Sequence, residues 1–194
     1  MTTILDDAIP FYFERNILER IWNQCKEINK IKKVDLTRNK DRNPVKIMFL
    51  GLRAQYAVNT VMGDPYDWSV HEGNDRGVDG EVHGKTYQVK YTKHVHDPYL
   101  KFDNEQPFIA DLAILTVPLT EERDDMNVRI VGYIEADLFF NLCVTMTWGG
   151  YTGDKCVRYT QLKPFIYLLR EKRRKVPHQN WKQNSLFPRR NYGY

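Results

Sequence analysis

No stretch of this chain approaches the roughly 20 uninterrupted apolar residues that a membrane-spanning helix needs, so no membrane span is expected. The opening residues Met1-Thr2-Thr3-Ile4-Leu5-Asp6-Asp7 hold neither a basic segment nor a long apolar run, so a secretory leader is not expected. Cysteine is scarce. Cys25, Cys143 and Cys156 are odd in number and widely scattered, matching neither a disulfide framework nor a zinc-ligand spacing. They read as buried free thiols in a reducing compartment, and the expected location is cytoplasmic. Internal repeats, low-complexity tracts and recognised groove-reading motifs are also missing, which leaves an ordinary globular domain.

What is present fits that class. The 194 residues suffice for one compact domain with a substantial core, and the 42% hydrophobic and 28% charged contents are ordinary for a folded protein. The net charge of +4 hides an asymmetry. From Lys163 onward nine Lys and Arg face one acid, Glu171, a local balance of +8, so the preceding 162 residues sum to −4. A basic segment on an acidic body points to a local polyanion contact.

Along the chain, residues 11–33 read as an amphipathic helix with Phe13, Ile17, Ile21, Ile28 and Ile31 on one stripe. Asn43-Pro44 starts a second helix, which runs to Met62 and stops at Gly63. Apolar residues cover most of its circumference, which predicts a central, buried helix. Gln55 and Asn59, four apart on it, either hydrogen-bond a neighbouring element or face a site. Residues 66–70 read as a strand, and 71–77 as a polar loop. The nearly continuous apolar run 108–117 predicts a strand covered on both faces. Further strands are expected at 128–134, 144–148 and 157–160, helices at 135–142 and 161–174, and a mobile loop at 149–153. His94 and His96 would share one side of a strand, but no third metal ligand accompanies them, so they read as solvent-exposed.

The chemistry concentrates in residues 77–92, two short strands joined by a turn at His83-Gly84-Lys85. Side chains two apart on a strand share a face, so Asp79 and Glu81 project together, as do Gln88 and Lys90. If the faces coincide, carboxylates, an amide and an ammonium converge, as in a divalent-metal phosphodiesterase site. The same alternation also suits a solvent-facing polar hairpin. Beyond residue 177, Lys182, Arg189 and Arg190 alternate with Trp181, Phe187, Tyr192 and Tyr194. That composition suits either a nucleic-acid tail or an arm packed on its own domain or a second copy.

Helix, strand, hairpin with Asp79 then Gln88-x-Lys90, buried strand, further strand: this order resembles the PD-(D/E)XK nuclease superfamily, nearest to its Holliday-junction-resolvase-like and Mrr-like members with a Gln-x-Lys motif. Gly51-Leu52-Arg53-Ala54-Gln55-Tyr56-Ala57 resembles the family's acid-bearing helix, with Gln55 where Glu is usual. The resemblance covers about residues 45–135. It implies an α/β, restriction-endonuclease-like fold, a mixed central sheet flanked by helices, as one domain over residues 1–176 with a helical extension at 1–43 and a basic aromatic tail at 177–194. It implies a Mg²⁺- or Mn²⁺-dependent DNA endonuclease, in which Asp79, Gln88, the Val89 carbonyl and Glu81 hold the ion, and Gln55, Gln88 and Lys90 serve catalysis beside Asp79. Arg173, Arg174, Lys175, Lys182, Arg189 and Arg190 would bind nucleic acid, and a homodimer is a further expectation. The missing acid at Gln55 keeps open an alternative, a nuclease-fold protein that binds nucleic acid with weakened or no cleavage.

Overall fold

The computed structural model describes residues 3–32, 43–70, 77–103, 107–122, 125–148 and 151–175. The protein is a mixed α/β structure whose larger sheet is flanked by helices. In chain order the elements are β1 (Ile9–Phe11), α1 (Arg15–Lys32), α2 (Pro44–Met62), β2 (Gly80–Val82), β3 (Lys85–Tyr91), β4 (Tyr99–Phe102), β5 (Leu112–Pro118), β6 (Val128–Glu135), α3 (Ala136–Leu142), β7 (Val144–Trp148), β8 (Tyr151–Arg158), β9 (Lys163–Pro164) and α4 (Phe165–Lys175). None of these helices is long and apolar enough to cross a membrane among the described residues.

The larger sheet runs β1-β6-β5-β3-β2, with β9 also pairing β6. Only the β3–β5 pair is parallel. β5 is buried along its whole length, as its unbroken apolar run demands. Leu112 and Ile114 face the layer of α2 and α4, against Val58, Met62, Phe165 and Leu168. Ala113, Leu115 and Val117 face the opposite layer, with Phe139 of α3, Leu100 and Phe102 of β4, and Val157 of β8. Opposite β5, Leu115 pairs with Gly132 and Thr116 with Ile130, which leaves Val131 as an extra residue. That bulge changes the phase of β6, so Ile130 and Tyr133 face one layer and Val131 and Ile134 the other.

The ends of α2 follow the capping rules. The Asn43 side chain accepts from the N–H groups of Val45 and Lys46, and the Gly63 N–H returns to the carbonyls of Asn59 and Thr60. α1 packs on α2 through Ile21, Cys25 and Phe49. It starts at Arg15 rather than at residue 11, because Ile9–Phe11 is drawn into the sheet against Val128–Ile130. Residues 66–70 form no strand. Their backbone is tied instead to α1, where the Gln24 amide donates to the carbonyls of Asp67 and Ser69, and Tyr66 and Trp68 pack on Tyr56.

A smaller antiparallel sheet, β4-β8-β7, lies beyond the α3 side. Two expectations change here. The predicted loop at 149–153 lies partly outside the described residues, and from Tyr151 onward the chain is already in β8. The predicted last helix starts at Phe165 rather than at residue 161, because Tyr159–Gln161 forms a 3-10 turn and Lys163–Pro164 pairs with β6. Cys25 and Cys156 are buried as expected, whereas Cys143 is only half-buried.

Candidate functional site

The β2–β3 hairpin closes on a two-residue turn, His83-Gly84, whose residues have φ of 55° and 75°. Two successive positive φ values define the turn whose twist matches that of the flanking strands, and Gly is favoured at its second position. The register Gly80↔Tyr87 carries back to place Asp79 beside Gln88 at the open end of the hairpin.

Asp79 is held from several sides. Its N–H donates to the Tyr87 carbonyl at 2.8 Å, and its Oδ2 accepts the Val89 N–H at 2.6 Å. Its backbone carbonyl accepts from Gln55 Nε2 and Asn59 Nδ2, each at 3.4 Å. The N–H and C=O of one residue point to the same side of an extended strand. The Val89 carbonyl therefore looks toward the same edge as the Asp79 carboxylate. The pair Gln55 and Asn59 thus fastens α2 to the residue that opens the hairpin.

Behind Asp79 runs a polar chain, buried at Asn59 and Tyr87 and half-buried at Asp64 and Lys172. Asn59, 3% exposed, accepts from the Tyr87 hydroxyl at 2.9 Å, and Asp64 Oδ2 lies 3.4 Å from the same hydroxyl. Asp64 Oδ1 in turn accepts from Lys172 Nζ of α4 at 2.5 Å. Burial, then the nearby carboxylates of Asp64 and Asp79, push the Tyr87 phenol well above its ordinary range, so it stays a donor.

Gln88 is committed elsewhere. It is 4% exposed, its Oε1 accepts the N–H groups of Ile109 at 2.9 Å and Ala110 at 3.2 Å, and its Nε2 donates to the Pro107 carbonyl at 3.3 Å. An amide oxygen has two lone pairs, and both are taken. Gly77, at φ 69°, lets the chain pass so close that a Cβ there would sit 2.9 Å from Gln88 Nε2. Gln88 therefore staples the 107–110 segment to β3 rather than offering an oxygen beside Asp79. Gln55 likewise turns its amide nitrogen, not its oxygen, toward Asp79. Glu81 stands exposed on β2.

Lys90, next on the Gln88 face, places its Nζ 4.7 Å from the Phe102 ring centroid. It also opens a cleft of about 290 Å³ lined by Tyr91, Thr92, His94, Tyr99, Lys101, Asp103 and Cys156. Lys101 is ion-paired with Asp154. His94 and His96 are both exposed, and His96 pairs with Glu121. Arg173, Arg174 and Lys175 form the last turn of α4. Lys182, Arg189 and Arg190 lie outside the described residues.

Arg53 is a buried polar residue that the motif reading passed over. It is 1% exposed and donates to the Asp125 carbonyl at 3.1 Å and the Tyr91 hydroxyl at 2.9 Å. Burial lowers its pKa. Its neighbours on an apolar helix gave no sign of a buried charge, and its partners come from segments 38 and 72 residues away.

The donor set bears on the implied divalent ion. Among the described residues no group of three or more His, Cys, Asp or Glu side chains could hold a metal. Mg²⁺, however, often takes one or two carboxylates and completes its shell with water and substrate phosphate. The Asp79 carboxylate and the Val89 carbonyl, two hard oxygen donors on one strand edge, fit that sparse mode, and Gln88 does not join them as it stands. No family model matches the chain, and neither the curated proteins nor the solved structures give a match.

Proposed function

We propose that the protein is a nuclease of the PD-(D/E)XK kind, hydrolysing DNA phosphodiester bonds with Mg²⁺ or Mn²⁺. One observation carries the reading. The Asp79 carboxylate is fixed on the Val89 N–H at 2.6 Å, one residue before Lys90, at the open end of a hairpin lodged between α2 and β5. Of the element order behind the resemblance, the strand expected at 66–70 is absent, whereas α2, the β2–β3 hairpin, β5 and β6 follow in that order with β4 between β3 and β5.

Bound at this edge, the ion would polarise the scissile phosphate and lower the pKa of an attacking water. Asp79 and the Val89 carbonyl would hold it. Gln55 and Asn59 keep Asp79 from drifting by clamping its backbone carbonyl to α2. Lys90 supplies a cation against charge developing on the phosphate. The basic segment from Lys163 onward contributes sequence-independent affinity, so binding weakens steeply with salt. The test is incubation of the full chain with supercoiled, linear and four-way-junction DNA in Mg²⁺, Mn²⁺ or EDTA. Nicking or cleavage in the metal lanes alone supports the proposal. Equal cleavage in EDTA overturns it.

A second reading is favoured by the engagement of Gln88 and by Gln55 in place of an acid. On it the protein keeps a nuclease-like sheet and binds DNA without cutting. It predicts salt-sensitive retention of DNA and no nicking with any divalent ion.

A further inference from the structure

We infer that the cleft at the C-terminal end of β3 seats a single nucleotide of the bound strand, its phosphate toward Lys90 and Lys101 and its base toward Tyr99 and Asp103. The inference rests on the reading of the protein as one that binds nucleic acid, and it narrows the substrate to strands that can present an unpaired or flipped base.

The volume of the cleft, about 290 Å³, lies at the small end of ligand pockets, which run roughly 300–1,000 Å³. It has room for one nucleotide and not for a stacked run of bases or a duplex. Its position is set by topology. Lys90 forms one wall and belongs to β3, while Tyr99, Lys101 and Asp103 come from β4 or its end, so the cleft opens where the larger sheet meets the smaller one. Because Lys90 lines the cleft, a strand whose phosphate is held by Lys90 presents the nucleotide attached to that phosphate at this mouth.

The chemistry of the lining is mixed, and the mixture selects the ligand. Lys90 and Lys101 supply two cations, but Asp103 lines the same cleft and Asp154 is paired with Lys101. Charge is therefore balanced, and a bare dianion such as inorganic phosphate gains little. A nucleotide matches both ends: an anionic phosphate for the lysines, and base N–H groups for the Asp103 carboxylate. A carboxylate accepts well from the exocyclic amine of cytosine. The half-buried Tyr99 provides an aromatic surface on which any base can stack, because every base has a π-face. Taking a base out of a duplex breaks its stacking and pairing, and this costs least where the base is already unpaired.

The experiment titrates the full chain with dCMP, dTMP and inorganic phosphate, by calorimetry and by NMR shifts of the cleft residues. Expected is dCMP binding on the order of 1 mM or tighter, with shifts at Tyr99, Lys101 and Asp103. Inorganic phosphate should bind about tenfold more weakly, a difference of about 1.4 kcal/mol. Asp103→Asn should narrow the gap between dCMP and dTMP, and Tyr99→Ala should weaken both, with urea unfolding of each variant checking that it is folded. Equal affinity for phosphate and dCMP, or dCMP shifts confined to other surfaces, overturns the inference. Failure of the parent reading looks different: the wild type would then retain no DNA at moderate salt, whatever dCMP does at the cleft.

Discussion

Replacing Gln88 by Met separates a structural role for this residue from a metal-binding one. Met keeps much of the side-chain volume but removes every polar atom, so the cavity contribution stays small. Three hydrogen bonds go: two accepted by Oε1 from Ile109 and Ala110, and one donated by Nε2 to Pro107. Ala110 is buried at 4% exposure, so its N–H loses its partner with little access to water, a penalty of about 1–3 kcal/mol. Ile109 is 54% exposed, so water can reach that edge more readily, and the remaining two bonds add about 1 kcal/mol together. The sum is roughly 2–4 kcal/mol, read as a lowered urea midpoint at unchanged slope. If Gln88→Met unfolds within 0.5 kcal/mol of wild type, taken as about the size of an ordinary surface substitution, while abolishing Mg²⁺-dependent cleavage, the structural reasoning is refuted and Gln88 is a ligand after all.

Other outcomes follow from the same contacts. Asn59→Ala removes bonds to Asp79, Pro65 and Tyr87 from a buried position, and should cost about 2–4 kcal/mol in chemical denaturation. Tyr87→Phe keeps the ring and should cost about 1–2 kcal/mol in the same assay. Acid should weaken the fold through Glu135, whose carboxyl is held below its ordinary range by the Lys85 hydrogen bond and by Lys163. Because its folded pKa is the lower one, this stabilisation is present above the ordinary carboxylate pKa and is lost as pH falls, roughly from pH 5 to 3. Glu135→Gln should therefore lower the urea midpoint at pH 7 and leave it nearly unchanged at pH 3. Burial pushes the Cys25 thiol up to about 12, and Cys156 is 1% exposed, so a thiol reagent should titrate Cys143 in the native protein and the other two only after unfolding.

Those residues also mark what a sequence can reveal. The limits of α2 were legible because Asn43, Pro44 and Gly63 act locally, each through backbone groups within a turn. β5 was legible because burial on both faces writes itself as an unbroken apolar run. β1 and β4, of three and four residues, carry too short a pattern to register, and their pairing with distant β6 and β8 is what makes them strands. Residues 66–70 have strand-forming aromatics but spend them on α1 and α2. At the site, the alternation along the hairpin placed Asp79, Gln88 and Lys90 on strands but could not say where the amide of Gln88 would turn. That depended on the 107–110 backbone, about twenty residues away, offering two N–H groups and a carbonyl in the right places. The buried charge of Arg53 was hidden for the same reason.

The most direct test of the account is plasmid nicking by the wild type, Asp79→Asn and Lys90→Ala, each shown by urea unfolding to be folded and by retention on DNA to bind. Mg²⁺-dependent nicking by the wild type is expected, lost in both variants while DNA retention persists. Nicking at the wild-type rate by either variant would contradict it.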